Sequence, residues 1–281
     1  MPKRLALKPL DEVYRARAIP AGTARYWSWL FAARTAKDPL VGIYSLMAEW
    51  RAVMDPATDA AVAQIKLQWW RDELGRLAAG VPAHPVTRYL AAWTSNPSQL
   101  SPLETSIDAA SAQVSGAPLE RAIDLPSHAD ALYGGPLRVA IELAGGPLSG
   151  AARTCTAALG VGEYLARALA DYRRECRAGR VPFPVDALLA AGIDNDDLAA
   201  DTPPPRLAAY LENLRQQAAL QFASAEAPLA GPERGELRHL AVLACLGTRH
   251  VHDRISPANS EFRWGDLYHA WKAARRAAVT R

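Results

Sequence analysis

Apolar residues recur along this chain mostly at spacings of three and four, which is the period of an amphipathic α-helix. Proline and glycine punctuate the pattern, as at Pro20 and Gly22. An aromatic helix is predicted over residues 23–33, and Asp38 and Pro39 are predicted as the N-cap and first-turn proline of the next helix. No long run of β-branched residues appears, and much of the apolar content is alanine, so the pattern predicts an all-α fold.

A third helix is predicted from about Asp59 to Leu77, where the apolar residues again follow a helical period. The positions expected on its buried face are Val62, Ile65, Trp69 and Leu74. Trp69 and Trp70 are adjacent and point about 100° apart on a helix, so one of them can line a groove while the other joins the core. The large area of the indole ring favours burial of both.

Small residues interrupt the helix that is predicted to begin near Ser127. Gly134, Gly135 and Pro136 should kink or split this helix, and they allow another backbone or a ligand to approach closely. A longer helix follows and is expected to break at Gly179. Further helices are predicted over residues 206–225, 232–253 and 264–278.

These helices are predicted to form one domain over residues 1–281, with residues 1–20 as an N-terminal extension. Residues 202–205 are the clearest candidate for a linker. However, the helices that follow this segment are amphipathic and need the earlier helices to bury their apolar faces. A second, independent domain is therefore not predicted.

Composition and charge narrow the class of protein. The formal net charge of +3 is too small to indicate a nucleic-acid partner, and none is expected. The three cysteines lie far apart without metal-site spacing, as expected in a reducing compartment. The chain has no signal-peptide pattern and no apolar run long enough to span a bilayer. We therefore expect a cytoplasmic protein, and peripheral contact with the inner membrane stays open.

Two acids, Asp171 and Glu175, lie one turn apart on the long helix and share one of its faces. Carboxylates at this spacing can hold a hard cation such as Mg²⁺. A solvated acid pair among arginines is the simpler interpretation of the spacing alone. His250 and His252 are two residues apart, which puts their imidazoles on different sides of a helix and disfavours a metal site there.

Three segments occur in an order that resembles one known family: IYSLMAEWRAVMD over 43–55, IKLQWWRDEL over 65–74 and GVGEYLARALADYRRECRAGRVPFP over 160–184. This is the squalene/phytoene synthase family. The resemblance implies an isoprenoid-synthase-like helical bundle with a central cavity, in which Mg²⁺ helps to join two prenyl diphosphates head to head. NADPH would be needed only for a squalene-type reaction. The segment LQWWRDEL is most similar to a branch that includes non-catalytic assembly factors of respiratory complex I.

The chain departs from the family pattern at both acidic motifs. Where catalytic members carry clustered aspartates, this chain has Arg51 and retains only Asp55. In the second motif, Tyr164 and Arg167 occupy the places of a glutamine and an asparagine, and Arg174 stands where an acid is usual. Each Mg²⁺ ion takes about six oxygen ligands, so the remaining carboxylates are too few for a full cluster.

The resemblance also implies roles for individual residues. The implied metal ligands are Asp171, Glu175 and, as a third, Asp55. The candidate phosphate binders, which are alternatively ion-pair partners of the remaining acids, are Arg51, Arg167 and Arg71. The candidate cavity-lining aromatics, which could equally belong to the core, are Tyr44, Tyr133 and Tyr164.

Two functions are consistent with these observations. In the first, the protein has lost full condensation chemistry and binds a prenyl diphosphate or a lipid-like molecule, or acts through its surface as an assembly factor with a protein partner. In the second, it is an active Mg²⁺-dependent prenyltransferase with an altered metal site. The position of Arg51 distinguishes them. If it faces Asp171 across a cavity, the metal cluster of the family cannot form, whereas if it points away, acids such as Glu49 can substitute.

Overall fold

The computed structural model describes residues 10–146, 148–226, 231–257 and 261–278. These residues form helices joined by turns, and no strand occurs among them, so the predicted all-α class is confirmed. The α-helices are α1 (Glu12–Ala18), α2 (Ala24–Phe31), α3 (Lys37–Val53), α4 (Ala60–Ala78), α5 (Pro85–Leu90), α6 (Ser101–Val114), α7 (Leu125–Ala129), α8 (Gly135–Leu143), α9 (Gly150–Arg177), α10 (Val185–Ala190), α11 (Asn195–Ala199), α12 (Pro205–Ala225), α13 (Gly231–Glu236), α14 (Arg238–His252) and α15 (Trp264–Ala278).

The long helix α9 is the centre of the bundle. It packs against α12, α14, α7, α8 and the turn that joins the last two. Helix α3 packs against α8, and α14 packs against α2, α12 and α15. Of the predicted N-terminal extension, residues 1–9 lie outside the described residues, while α1 packs against α3 and buries Ala18. Within the described ranges, no helix combines the length and the apolar character needed to cross a membrane.

Local capping signals account for several helix boundaries. Asp59 caps α4 by accepting a hydrogen bond from the backbone N–H of Val62 at 3.0 Å. Helix α9 ends at Arg177, and Gly179 adopts a φ of +75°, a conformation that favours glycine. The predicted break after α9 is therefore confirmed, and α15 has its predicted bounds.

Two predicted boundaries are wrong. Asp38 is not the N-cap of α3, because a 3₁₀ turn at Arg34–Ala36 already leads into the helix. The Asp38 carboxylate instead accepts a hydrogen bond from the Tyr89 hydroxyl at 3.1 Å. The helix predicted over 232–253 is two helices, α13 and α14, because a glycine near the end of α13 weakens the helical run.

The predicted buried face of α4 is also wrong. Val62, Ile65 and Trp69 are 44%, 71% and 42% exposed, and of the predicted set only Leu74 is buried. The apolar residues that α4 buries are Ala63, Leu67, Trp70, Leu74 and Leu77. This second set recurs at spacings of three and four over the whole helix, whereas the exposed set continues into charged residues. Burial of both tryptophans is therefore wrong, since only Trp70 joins the core.

Close contact between α9 and a π-helical turn at Asp130–Gly134 holds the centre of the bundle together. The interruption predicted at residues 134–136 corresponds to this turn, which ends at Gly134, and α8 begins at the next residue. A Cβ atom on Gly160 of α9 would lie 2.9 Å from the backbone nitrogen of Gly134. The small residues therefore admit another backbone at this point, one of the two possibilities that the sequence leaves open.

Glu73 of α4 is fully buried, and its carboxylate organises the turn that leads to α5. It accepts hydrogen bonds from the backbone N–H groups of Ala83 and His84 at 2.8 Å each, and from Nε of Arg76 at 2.6 Å. The Thr87 hydroxyl is a further donor. Burial raises the pKa of Glu73, but these donors outweigh burial and lower the pKa to about 2.

Gly160→Ala is expected to destabilise the protein by about 1–3 kcal/mol, because the added methyl group must displace the backbone of the π turn. Urea denaturation followed by circular dichroism measures the free energy of unfolding. Gly75→Ala in α4 is the matched control, since a Cβ there meets no described atom within 4 Å. Alanine should stabilise that position by up to about 1 kcal/mol. Equal stability of Gly160→Ala and wild type would contradict the close contact.

Glu73→Gln should lower stability at neutral pH, because it removes a charged acceptor from buried donors. The folded pKa is about 2 and the ordinary value is 4.5, so the carboxylate contributes fully above pH 4.5. This contribution is lost as the pH falls from 4.5 towards 2, and the difference in unfolding free energy between variant and wild type should shrink. Asp72→Asn, at an exposed neighbour, is the control with a small effect. A pH-independent difference for Glu73→Gln would exclude ionisation as the cause.

Candidate functional site

An apolar cavity, which we call the chamber, is lined by residues of α2, α3, α8, α9, α12 and α14. Its apolar wall includes Tyr44, Met47, Leu137, Leu159, Phe222 and Leu243. The ring of Phe222 fits between α9 and α14 because Gly162 and Gly247 leave room for it. A Cβ atom at either glycine would come within 3.0 Å of the ring. The shape of this wall therefore depends on two positions that have no side chain.

A second cavity, which we call the polar mouth, adjoins the chamber towards the C-terminal ends of α3 and α9. Tyr133 and Arg167 line both spaces. The charged residues that line the polar mouth are Arg51, Asp55, Arg167, Asp171, Arg174 and Glu175. The structure thus brings together the three predicted acids and two of the three predicted arginines.

Arg51 faces Asp171 across the polar mouth. Nη2 of Arg51 donates a hydrogen bond to Oδ2 of Asp171 at 3.0 Å, and the two side chains are 39% and 25% exposed. Burial disfavours the charged form of Arg51, but its interactions with Tyr133, Asp171 and Glu163 outweigh burial and raise its pKa. Of the two orientations considered for Arg51, the structure has the one in which the guanidinium lies between the two acidic motifs.

A second ion pair joins the same two segments. Nη2 of Arg174 lies 3.2 Å from each carboxylate oxygen of Asp55, and Nη1 lies 3.9 Å from Asp171. A hydrogen bond from the backbone N–H of Ala57 and, after it, the interaction with Arg174 lower the pKa of Asp55. Arg51 and Arg174 lie in the last turns of α3 and α9, where the helix dipole favours a cation by about 0.3–1 kcal/mol.

Glu175 is paired with a buried cation of its own. Its Oε2 lies 2.9 Å from Nε of Arg180, without the alignment of a hydrogen bond. Both side chains are buried, and these two atoms have no hydrogen-bond partner among the described residues. Burial raises the pKa of Glu175, and attraction to Arg180 offsets this only in part.

Glu163 lines the chamber and binds two cations, and the sequence analysis missed it. Its Oε1 accepts a hydrogen bond from Nε of Arg167 at 2.6 Å and lies 3.5 Å from Nη2 of Arg25. Arg167 lies over the ring of Tyr133, 5.8 Å from its centroid, and Arg25 lies 5.4 Å from the centroid of Tyr44. The spacing of four between Glu163 and Arg167 is the signal that could have found the pair, whereas Arg25 is remote in sequence.

The three predicted tyrosines all line the cavities. The hydroxyls of Tyr44 and Ser28 share a hydrogen bond of 3.2 Å, and the Tyr164 hydroxyl donates to the carbonyl of Pro182 at 2.9 Å. Burial raises the pKa of Tyr44 and of Tyr133 to about 12, and it also raises the pKa of Tyr164. All three side chains are therefore neutral near pH 7 and serve as amphipathic wall.

Arg71 lies outside the site. Its Nη2 donates a hydrogen bond to Oδ1 of Asp108 at 2.6 Å, and it lines neither the chamber nor the polar mouth. Asp108 is not one of the remaining acids of the two motifs, so this placement supports neither the predicted role in phosphate binding nor the alternative of pairing with those acids. Glu49, considered above as a substitute ligand, forms an ion pair with Arg17 at 3.4 Å.

The acids of the polar mouth are engaged in ion pairs. Asp55, Asp171 and Glu175 each face a guanidinium. In the part of the chain that the structure describes, no three histidine, cysteine, aspartate or glutamate side chains converge on a common point suitable for a metal. Mg²⁺ ions would have to displace these pairs against the repulsion of the same arginines. The arrangement can instead offer N–H donors to an anion.

Comparisons with known proteins agree with this fold. The model of the squalene/phytoene synthase family matches residues 20–280. The structure is similar to a dehydrosqualene synthase crystallised with a ligand, with a TM-score of 0.65 and 16% identity over 90% of each chain. It is also similar to squalene synthase HpnC from Alicyclobacillus acidocaldarius, with a TM-score of 0.68 and 20% identity over 89% of this chain and 95% of that chain. A sequence comparison with curated proteins gives no match.

The family match and the two structural similarities support different conclusions. At such low identity, the two solved structures establish a shared fold and nothing finer. The family match extends from the turn before α2 through α15, so it covers the chamber and the polar mouth. The chain therefore belongs to the squalene/phytoene synthase family.

Proposed function

We propose that this protein binds a prenyl diphosphate, or a lipid-like molecule with a similar anionic head group, without carrying out full head-to-head condensation. The observation that carries the proposal is the 3.0 Å contact between Arg51 and Asp171 in the polar mouth. It supports a site in which guanidinium groups take the place that Mg²⁺ holds in catalytic members of the family.

Arg51 and Arg174 supply the donors for the head group. A guanidinium carries five N–H donors in a planar fork, and this fork matches the oxygens of a phosphate. Arg51 donates to Asp171 through one nitrogen, and Arg174 contacts Asp55 mainly through one nitrogen. The other N–H groups can bind a diphosphate that enters the mouth, while the carboxylates share the same guanidinium groups or move aside.

The chamber supplies the surface for the apolar chain of the ligand. Its wall is aliphatic and aromatic, and Arg167 with its partner Glu163 lies where the chamber meets the polar mouth. A prenyl chain in the chamber would gain about 25 cal/mol for each Å² of apolar surface that it buries. One ligand would then span both spaces, with its diphosphate beside Arg51.

The same geometry favours loss of the condensation chemistry. Ionisation of an allylic diphosphate depends on divalent ions that neutralise the leaving group. The polar mouth engages its carboxylates in ion pairs, and a guanidinium concentrates less charge than Mg²⁺ does. Loss of one strong electrostatic contact commonly costs on the order of a hundredfold in rate, and a full metal cluster makes several such contacts.

The alternative is an active Mg²⁺-dependent prenyltransferase with a squalene- or phytoene-type product, which would use NADPH only for the squalene type. The observation in its favour is that Asp55, Asp171 and Glu175 line one cavity. Movement of the arginines would leave these acids exposed to the same space. This alternative requires turnover, and binding alone does not.

A role as an assembly factor with a protein partner is compatible with the binding proposal. Helix α4 exposes Val62, Ile65 and Trp69 at spacings of three and four, which forms an apolar stripe on the surface. Such a role would use the surface and leave the cavities free for a ligand. Variants of the polar mouth would therefore not impair it.

Farnesyl diphosphate should bind to the purified protein without divalent ions and raise its melting temperature. Isothermal titration calorimetry in EDTA measures the affinity. Arg174→Gln should weaken binding about 10- to 100-fold, because a hydrogen bond to a charged group contributes about 1.5–3 kcal/mol. Arg121→Gln removes an exposed arginine that pairs with Asp124 and lines neither cavity, so its affinity should equal that of wild type. Binding that requires Mg²⁺ and tolerates Arg174→Gln would overturn the proposal.

With farnesyl diphosphate, Mg²⁺ and NADPH, the protein should release diphosphate no faster than a control without protein. Geranylgeranyl diphosphate should give the same result in a separate reaction. Asp171→Asn should leave the rate unchanged, because Arg51 already engages this carboxylate. A coupled assay for diphosphate and chromatography of extracted products make the measurement. Release well above background that is lost in Asp171→Asn would establish the active prenyltransferase instead.

A further inference from the structure

Helix α15 has two faces of different composition. One face packs against α2 and α14 through small residues, and its buried alanines are Ala270, Ala273, Ala274 and Ala277. Asp266 lies on the same side, where its Oδ2 lies 2.9 Å from Nε2 of His250.

The opposite face of α15 carries large aromatic side chains, which we call the aromatic stripe. Trp264, Tyr268 and Trp271 are 76%, 54% and 43% exposed, and their spacings of four and three place them in one line along the helix. Phe262 is 50% exposed and packs edge-on against Trp264, with ring centroids 5.1 Å apart. Trp and Tyr rings combine an apolar body with a polar N–H or O–H group. They are enriched at the membrane–water interface, where apolar acyl chains meet hydrated head groups.

A basic groove adjoins the aromatic stripe at Trp271, between α15 and the segment that joins α2 to α3. The residues that line it besides Trp271 include four cations and two apolar side chains: Arg34, Lys37, Arg238, Arg275, Leu30 and Phe31. Among the described residues, no carboxylate contributes to its lining. The groove therefore presents a positive potential beside the exposed aromatic rings.

Backbone and aromatic contacts, rather than ion pairs, hold the cations of the basic groove. Arg238 donates hydrogen bonds to two backbone carbonyls at the end of α2, at 2.7 and 3.2 Å. The guanidinium of Arg275 lies over the ring of Trp271, 4.9 Å from its centroid. Within the described ranges, no acid forms a salt bridge with Arg34, Lys37 or Arg275. Their charge is therefore available to an anionic partner.

We propose that the aromatic stripe and the basic groove together form a docking surface for an anionic phospholipid bilayer. The cations of the groove attract the phosphate groups of the lipids, and exposed Trp and Tyr rings settle at the level of the head groups. A bilayer satisfies both halves of the surface at once, because it places a layer of negative charge directly above apolar chains. Charge complementarity thus favours a bilayer over a protein surface, which would need its own acidic patch beside an apolar one.

This docking surface is independent of the ligand proposed for the cavities. The cations and aromatic residues that form it line neither the chamber nor the polar mouth. A failure of bilayer binding would therefore leave the cavity proposal intact, and the reverse also holds. Helices α2 and α3 contribute residues to both the chamber and the groove, so the two regions are adjacent in the bundle.

The proposal is tested by co-sedimentation of the full chain with vesicles of phosphatidylcholine alone and of phosphatidylcholine with phosphatidylglycerol. The protein should bind only the vesicles that contain phosphatidylglycerol, and added salt should weaken binding. Combined Arg34→Gln, Lys37→Gln and Arg275→Gln should reduce the partition coefficient roughly a hundredfold, at about fivefold for each cation. Arg275→Gln alone, with the fivefold effect, replaces the triple variant if circular dichroism shows that the triple variant is unfolded.

A matched control removes the same charge from another part of the surface. Lys66, Arg88 and Arg153 are exposed and lie outside the basic groove, and their combined substitution by glutamine should leave bilayer binding close to that of wild type. An equal loss in this control would show non-specific attraction and overturn the proposal. Binding that is indifferent to phosphatidylglycerol would overturn it as well.

Quenching by brominated acyl chains tests the aromatic stripe. On vesicles with phosphatidylglycerol, these chains should quench the tryptophan fluorescence of wild type, and Trp264→Leu with Trp271→Leu should abolish the quenching. Trp69→Leu is the control, because Trp69 is 42% exposed on α4, close to the 43% of Trp271.

Two further results would contradict the proposal. One is a dimer in analytical ultracentrifugation that the Trp264 and Trp271 substitutions dissociate, and the other is stabilisation by inorganic phosphate without any vesicle binding.

Discussion

The ion pair between Arg51 and Asp171 is the contact on which the charge of the polar mouth depends. It lies where the last turns of α3 and α9 approach each other, and the backbone carbonyls of these helix ends carry partial negative charge. A bare anion is unfavourable at such a position, whereas a cation is stabilised. Arg51 and Arg174 provide the positive charge through side chains, and the neighbouring carboxylates offset it. The charges that line the mouth, from three arginines and three acids, are thus nearly balanced.

The balance of charge depends on how closely the helices pack. Gly160 lets α9 approach the π turn before α8, and that approach places Tyr133 where it lines both the chamber and the polar mouth. Burial then raises the pKa of Tyr133 to about 12, so this ring separates the apolar space from the charged one as a neutral group. The small residues let the helices pack closely. The charged residues lie in the space that remains at the ends of these helices.

Features that depend on neighbouring residues could be predicted from the sequence, and features that depend on distant ones could not. Asp59 and Gly179 act within one turn of chain, so the start of α4 and the end of α9 follow from local chemistry. The buried face of α4 could not be chosen in this way, because apolar residues occur on two sides of the helix and packing against α6 and α3 decides between them. The acids and two of the arginines named from the family resemblance line one cavity, whereas the third arginine, Arg71, does not. The contact of Arg25 with Glu163 joins residues far apart in the chain, and no sequence pattern indicates it.

The wall that Phe222 contributes to the chamber has a consequence for ligand length. Its ring packs against Gly162 and Gly247 and forms part of the chamber wall. A smaller residue at 222 would extend the space available to a hydrocarbon tail, and a methyl group at Gly162 or Gly247 would push the ring inward and shorten it. Under the proposed function, Gly162, Phe222 and Gly247 would therefore set the length of the hydrocarbon chain that fits, and substitutions there would change this length without altering any ionised group.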